Sequence, residues 1–278
     1  MADTTAPLTD HPDFNARLLE RIDLHEQLAR FRVAPDEGSA PEFKPGQFAT
    51  LGLPHPPDPE TGKPALDRKG NPKLVRRAYS IASPSTTREH LEFYIVEVDD
   101  GRLTPSLFNM HPGDRLHMGA KIAGHFTLDP VPDGQHLIMV GTGTGLAPFL
   151  SMYETYRDQG RWKSFTLLDG CRLARDLGYL DRLNQYTADD PTFTYAPTVT
   201  REPDDSGWAG RRGRVNALLE PDRFKEEFGF MLSPEDCHVF LCGNPAMIDQ
   251  VEESLIDRGF VVENKEHPDG NLHFERYW

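Results

Sequence analysis

The chain is short of cysteine, of positive charge and of long apolar runs, and each shortage removes a class of protein. Its three cysteines, Cys171, Cys237 and Cys242, are too few for a disulfide framework, and their spacing matches neither a zinc nor an iron–sulfur pattern. No apolar run approaches the roughly 20 residues that a membrane span needs. Lys and Arg number 30 against 44 Asp and Glu, a net charge of −14 at pH 7, which argues against general nucleic-acid binding. The 11 histidines are scattered without a metal-type pair such as H-E-x-x-H, so no metal is expected. Met1 to Pro12 is polar and lacks the basic start and apolar centre of a signal peptide, so a cytoplasmic protein is expected. What is present is an ordinary hydrophobic content of 37% and 278 residues, enough for two domains with sizeable cores.

The first half reads as short strands. Residues 17–24 and 27–33 alternate partly on either side of a turn around Asp23 to Glu26, the pattern of a hairpin. Pro45-Gly46 is a turn pair leading into a strand to Leu53, and further strands are predicted over 75–82 and 91–98. Several strands at this spacing suggest a barrel. A helix is predicted over 103–110, opened by Thr104 or Pro105. Residues 54–72 hold Pro54, Pro56, Pro57, Pro59, Pro64 and Pro72, too irregular for a packed element. They read as an exposed excursion made basic by Lys63, Arg68, Lys69 and Lys73, a contact for an acidic carrier protein being the other use. The composition breaks at Asp129 to Gly134. Beyond it the apolar run 136–140 enters a glycine loop, and 148–156 has helical spacing: strand, tight turn and helix, the start of a parallel α/β unit. Further strands are expected over 164–168 and, as the last, 238–241.

Three stretches have chemical promise. In Arg76-Arg77-Ala78-Tyr79-Ser80-Ile81, strand alternation sets Arg77, Tyr79 and Ile81 on one side and Ala78 and Ser80 on the other. Arg77 suits a phosphate, the Tyr79 ring suits stacking and Ser80 can donate a hydrogen bond; the competing use is an amphipathic strand with an exposed tyrosine. In Gly141-Thr142-Gly143-Thr144-Gly145-Leu146-Ala147-Pro148 the glycines allow close backbone approach to a dinucleotide before a helix N-terminus. Leu146 occupies the third glycine position, so the G-x-G-x-x-G fingerprint is not matched. The third stretch, Cys242-Gly243-Asn244-Pro245-Ala246-Met247, follows a strand end, where ligands of open parallel sheets collect. No basic neighbour is placed by sequence to activate Cys242 as a nucleophile.

Cofactor signals conflict. Asp169 at a strand end suits the ribose hydroxyls of NAD, whereas Arg172 and Arg175 just after it suit the 2′-phosphate of NADP; Arg201, Arg212 and Arg214 come further on.

The three motifs, in this order, resemble those of the ferredoxin–NADP reductase superfamily, and within it the bacterial ferredoxin (or flavodoxin)–NADP reductases, to which the ending Arg276-Tyr277-Trp278 is also similar. The resemblance covers nearly the whole chain, residues 54–72 excepted. It implies an N-terminal antiparallel FAD-binding β-barrel, residues 1–130, followed by a parallel-sheet α/β NADP-binding domain, residues 131–278. It also implies an FAD-dependent, NADPH-preferring oxidoreductase passing electrons between NADP(H) and ferredoxin or flavodoxin. On this resemblance Arg77, Ala78, Tyr79 and Ser80, with Tyr94 and Val96 of the following strand, hold FAD. Tyr79 covers one face of the flavin ring and Ser80 bonds near N5. Thr104 and Gly124 lie on the pyrophosphate side, although Thr104 equally suits capping its own helix and Gly124 a plain turn. Tyr277 or Trp278 packs on the flavin ring or the adenine. Thr142, Gly143 and Thr144, with Cys242, meet the nicotinamide, and Arg172, Arg201, Arg212 and Arg214 surround the 2′-phosphate. Tyr79, Ser80, Thr142 and Cys242 are then the catalytic set. Asp169 opposes a phosphate, so it is expected to point away or to pair with an arginine. A monomer is expected. The alternatives are the reductase component of an oxygenase, which often adds clustered cysteines, and a flavin-binding interaction protein without turnover, which needs no glycine loop.

Overall fold

A hairpin opens residues 11–276, the part that the computed structural model describes. Its strands β1 (Ala16–His25) and β2 (Leu28–Pro35) pair antiparallel. With β3 (Phe48–Pro54), β4 (Leu74–Ser80), β5 (Leu91–Val96) and β6 (Arg115–Met118) they form a six-stranded sheet in the order β4-β3-β6-β1-β2-β5. A bridge between Ile81 and Phe93 joins the outer strands, so the sheet closes into the expected barrel. Alternation sends Leu18, Phe31, Leu51, Phe93 and Ile81 into its core, each such side chain contributing about 1.5–3 kcal/mol by leaving water. The helix predicted over 103–110 is the shorter α1 (Thr104–Phe108), with Leu103 as its N-cap. β6 has only four residues, too few to show a period in the sequence.

The proline-rich excursion joins the antiparallel neighbours β3 and β4 and is almost wholly exposed. It is more ordered than its composition suggests. Asp58 Oδ1 accepts from the Glu60 and Thr61 amides, Asp67 Oδ1 accepts from the Lys69 and Asn71 amides, and Leu66 bridges to Pro72. Two Asx turns therefore supply the bonds that prolines cannot donate.

The chain divides into two compact units, one up to His125 and one from Phe126. Residues 126–130 fall in the second, where the Phe126 ring packs at 5.9 Å from Phe149 and 5.5 Å from Phe240. Its sheet is parallel, in the order β10-β9-β8-β7-β11-β12, built from β7 (His136–Thr142), β8 (Ser164–Cys171), β9 (Phe193–Val199), β10 (Arg211–Arg212), β11 (Cys237–Gly243) and β12 (Leu272–Arg276). Helices α2 (Ala147–Tyr156), α3 (Leu180–Asp189), α4 (Pro221–Phe228) and α5 (Pro245–Ile256) complete it. β11 is not the last strand: β12 follows, and β9 and β10 extend the other edge. β10 is two arginines and β12 has one aliphatic residue, so backbone pairing places them without an apolar signal. Every residue of β11 is buried, as a strand covered on both faces requires. No helix among the described residues is long and apolar enough to cross a membrane.

Candidate active site

Two glycine motifs meet where the sheet reverses direction. β8 and β9 are added on one side of β7, and β11 and β12 on the other, which makes the carboxyl ends of β7 and β11 the crevice where ligands of such sheets bind. The register sets Gly141 of β7 between Asp169 of β8 and Cys242 of β11. After Thr142 the chain makes one turn of 3₁₀-helix, Gly143–Leu146, before α2. A Cβ on Gly145 would stand 2.4 Å from the Cys242 carbonyl oxygen, and one on Gly243 2.4 Å from Thr142 Oγ1. Only hydrogen fits at either place, so the loops lock backbone to backbone. The Asn244 amide donates to Thr142 Oγ1 at 2.8 Å, which leaves the hydroxyl hydrogen available to donate. Asn244 also caps α5, accepting from Ala246 N, and Pro245 occupies the first turn. Gly243, with φ +121°, makes the turn between strand and cap. The Cys242 side chain is fully buried, which gives a nucleophile no path to solvent.

At the ends of β8, β9 and β10 the structure gathers the arginines that the sequence scatters. The Arg201 amide donates to the Arg172 carbonyl at 2.8 Å, and the Gly213 amide donates to the Val199 carbonyl at 2.8 Å. Arg172, Arg201 and Arg214 are exposed. Arg212 is spent differently, donating to the Glu202 and Pro203 carbonyls and bracing the turn that holds Arg201. Glu202 accepts from the Ala174 amide at 2.6 Å. That bond, with Ser206, Arg212 and Arg175 beside it, holds its carboxyl below the usual range. Asp169 does point away from this cluster, but its partner is no arginine. It is about 1% exposed, its Oδ2 accepts from the Tyr195 hydroxyl at 2.8 Å, and burial pushes its pKa up to about 7.

In the first unit, β4 is the end strand of its sheet, with β3 on one edge and, on the other, only the closing bridge at Ile81. That second edge keeps backbone donors and acceptors unused by strands. Arg77 and Ala78 are exposed, Tyr79 is half-buried against the barrel core and Ser80 is buried. The Tyr79 ring stands edge-on to Phe93 at 6.5 Å. Arg77 Nη1 donates to the neighbouring Arg76 carbonyl, and no acid pairs with its charge among the described residues. Tyr94 is buried and Val96 half-buried on β5, the strand that Ile81 bridges. Gly124 is brought beside β4 by Gln47, whose side chain donates to the Gly124 carbonyl and whose own carbonyl accepts from Ile81 N. With φ +114° and Phe48 Cδ1 only 3.3 Å from a hypothetical Cβ, Gly124 requires glycine. Thr104 does not cap α1. Its Oγ1 accepts from Val98 N at 3.0 Å, closing the turn after β5. Tyr277 and Trp278 lie outside the described residues.

Comparison with known proteins identifies this arrangement. Residues 139–253 match the family described as oxidoreductase NAD-binding domain. A flavodoxin/ferredoxin–NADP reductase of Shigella flexneri is 32% identical over 236 residues, 85% of this chain and 88% of its own length. The ferredoxin–NADP reductase of Pseudomonas aeruginosa is 30% identical over 272 residues, 95% and 96% of the two chains. The chain belongs to the ferredoxin (flavodoxin)–NADP reductase family. A crystal structure of a member from Neisseria gonorrhoeae, with bound FAD and NADP, superimposes with a TM-score of 0.80 at 26% identity, covering 96% of this chain and 100% of that one. Against this reductase fold, sequence reasoning passed over Gln47, Asn244, Glu202 and Cys171. Asn244 had a local signal, the Asn-Pro pair of a capped helix start; Gln47 and Glu202 act through bonds to residues distant in sequence, and Cys171 bonds locally to Asp169 and Asp176 without any motif to mark it.

Proposed function

We propose that the protein is an FAD-dependent reductase moving electrons between NADP(H) and ferredoxin or flavodoxin. The observation that supports it best is the locked pair of glycine loops at the sheet's reversal point with Arg172 and Arg201 beside them, in a chain of this reductase family. Bound flavin and nicotinamide supply the chemistry, a hydride passing between nicotinamide C4 and flavin N5 and single electrons going on to the carrier. The protein's residues bind and orient.

The backbone of the 141–145 loop, bare of side chains at its glycines, receives the dinucleotide, and Thr142 directs its hydroxyl hydrogen toward the nicotinamide. Cys242 contributes the buried floor of that pocket rather than a nucleophile. Arg172, Arg201 and Arg214 take the 2′-phosphate, while Arg212 holds their turn in shape. The open edge of β4 suits FAD: Tyr79 offers its ring, Ser80 a hydroxyl, Arg77 an exposed cation, and Tyr94 and Val96 the neighbouring wall. The chain works as a cytoplasmic monomer with no nucleic-acid partner, and the exposed excursion, where Lys63, Arg68 and Lys69 balance Asp58, Glu60 and Asp67, offers the carrier cations that the rest of this acidic protein has few of.

The test is a visible spectrum of the purified protein before and after anaerobic NADPH. A yellow protein that releases FAD on denaturation and bleaches with NADPH is the expected result. A colourless protein that FAD does not reconstitute overturns the proposal.

A further inference from the structure

The turn that presents Arg201 is joined to the one that presents Arg172 by more than the sheet. β8 and β9 go on exchanging bonds at their carboxyl ends. The Thr200 amide donates to the Cys171 carbonyl at 3.1 Å, the Thr200 hydroxyl lies 3.4 Å from the same oxygen, and the Arg201 amide donates to the Arg172 carbonyl at 2.8 Å. Beyond Arg172 the chain enters a 3₁₀ turn, Ala174–Asp176, and the first amides of such a turn have no acceptor inside it. The Leu173 amide is taken by Asp176 Oδ2 at 3.0 Å and the Ala174 amide by Glu202 Oε2 at 2.6 Å. Glu202 is the residue next to Arg201 in the chain, so its carboxylate fastens the far side of Arg172 to the Arg201 turn. Arg212 braces that turn in its own way, donating to the Glu202 and Pro203 carbonyls and standing 3.8 Å from Asp204 Oδ1.

An acid among arginines that receive a phosphate repels the ligand, so its presence there calls for a job that its charge does not do. We propose that Glu202 is a positioning residue that fixes the spacing of the Arg172 and Arg201 turns for the 2′-phosphate, and thereby contributes to the choice of NADP(H) over NAD(H). This role rests on the reading of those arginines as the phosphate ligands. Both are exposed, and an exposed pair of long side chains binds well only when the backbone beneath it is already in place, because ordering it on binding costs affinity. An amide bonded to a carboxylate is of the strong, charge-assisted kind, and here it joins residues 28 positions apart. With the clasp removed, the backbone beyond the Arg172 carbonyl is free to swing away from Arg201, and the ligand has to order it. Glutamine at the same position keeps an oxygen that accepts the Ala174 amide, which separates the bond from the charge.

Glu202→Ala and Glu202→Gln, in FAD-loaded protein beside wild type and Arg201→Ala, test the role by calorimetric titration with two probes, adenosine 2′,5′-bisphosphate and adenosine 5′-phosphate, of which only the first carries the 2′-phosphate. KM and kcat for NADPH and for NADH, with ferricyanide as acceptor, supply the second readout. Loss of one hydrogen bond predicts that Glu202→Ala weakens the bisphosphate about three- to tenfold relative to the monophosphate. It is also expected to raise KM for NADPH more than KM for NADH, and to move KM more than kcat. Glu202→Gln is expected to recover most of both losses. Binding of the two probes that Glu202→Ala leaves unchanged, or weakens equally, overturns the proposal. So does a Glu202→Gln variant no better than Glu202→Ala, and so does tighter bisphosphate binding by both variants, which would make Glu202 a repelling charge and nothing more. Arg201→Ala reports on the reading beneath: if it costs the bisphosphate nothing relative to the monophosphate, the phosphate reading of the arginines falls and this role with it, whereas a loss in Arg201→Ala without one in Glu202→Ala overturns the clasp alone.

Discussion

Arg201 and Tyr79 are the residues whose proposed roles are most directly separable from structure. Arg201 is exposed, and its backbone, not its side chain, makes the bond to Arg172 that shapes the turn. Removing the guanidinium therefore leaves the turn intact. A charged hydrogen bond contributes about 1.5–3 kcal/mol, about ten- to a hundredfold in affinity. Arg201→Ala is expected to raise KM for NADPH by about that factor and to leave KM for NADH nearly unchanged. Equal losses with both cofactors would show a structural arginine, and a wild-type preference for NADH would return the weight to Asp169. Tyr79 acts through its ring: burial pushes its hydroxyl well above the ordinary tyrosine range, so no phenolate forms at working pH. Stacking contributes on the order of 1 kcal/mol beyond burial. Tyr79→Ala is accordingly expected to weaken FAD retention, read by fluorescence of released flavin during dialysis. Unchanged retention and an unchanged flavin spectrum would place the ring elsewhere.

The junction between the 141–145 loop and the end of β11 is held by shape more than by bonds. A Cβ at Gly145 collides with the Cys242 carbonyl at 2.4 Å, and one at Gly243 meets the Thr142 carbonyl at 2.6 Å, with φ +121° adding strain. Gly143 also has positive φ, but no atom lies within 4 Å of a Cβ there. Ala substitution at Gly143 therefore costs only the left-handed backbone, about 1–2 kcal/mol, while Gly145→Ala and Gly243→Ala must also move backbone. Thermal melting should rank them: a fall of a few degrees for Gly143→Ala and a larger one for each of the other two. Equal falls at all three positions would mean that the loops are not locked as described. The same element shows what was legible locally. Cys242-Gly243-Asn244-Pro245 reads as strand end, turn, N-cap and first helical turn because each of those jobs is done by residues within a few positions.

For the whole molecule, acid stability is set by buried groups far apart in sequence. His238 and His273, on neighbouring strands, share a hydrogen bond of 3.1 Å, and burial lowers them to about 4 and about 3, with Glu263 the acid facing His273 at 3.6 Å. Both folded values lie below the ordinary 6.5, so the unfolded chain binds more protons, and stability present above pH 6.5 is lost as pH falls toward the folded values. Asp169 works in the opposite direction: raised from 3.8 to about 7, it stabilises at low pH and loses that contribution as pH rises through about 7. Denaturant midpoints between pH 7 and pH 4 are expected to fall in the wild type, less steeply in His238→Gln and more steeply in Asp169→Asn. Identical slopes in all three would show that these groups do not titrate with folding.

The sequence by itself determined the motifs, the order of barrel before α/β unit, and the glycines at the site, because periodicity and turn chemistry act over a few residues. It left open the strands without apolar signal, β10 and β12, and whether Asp169 turns away or pairs with an arginine, where the fold buries it against Tyr195. Tertiary structure alone decided that Arg201 lies against Arg172, that Gln47 ties Gly124 to Ile81, and that Tyr195 meets Asp169. Each of these meetings is set by strand order and register across a sheet, and the pairing of one strand with another is a property of the whole chain that no local pattern encodes.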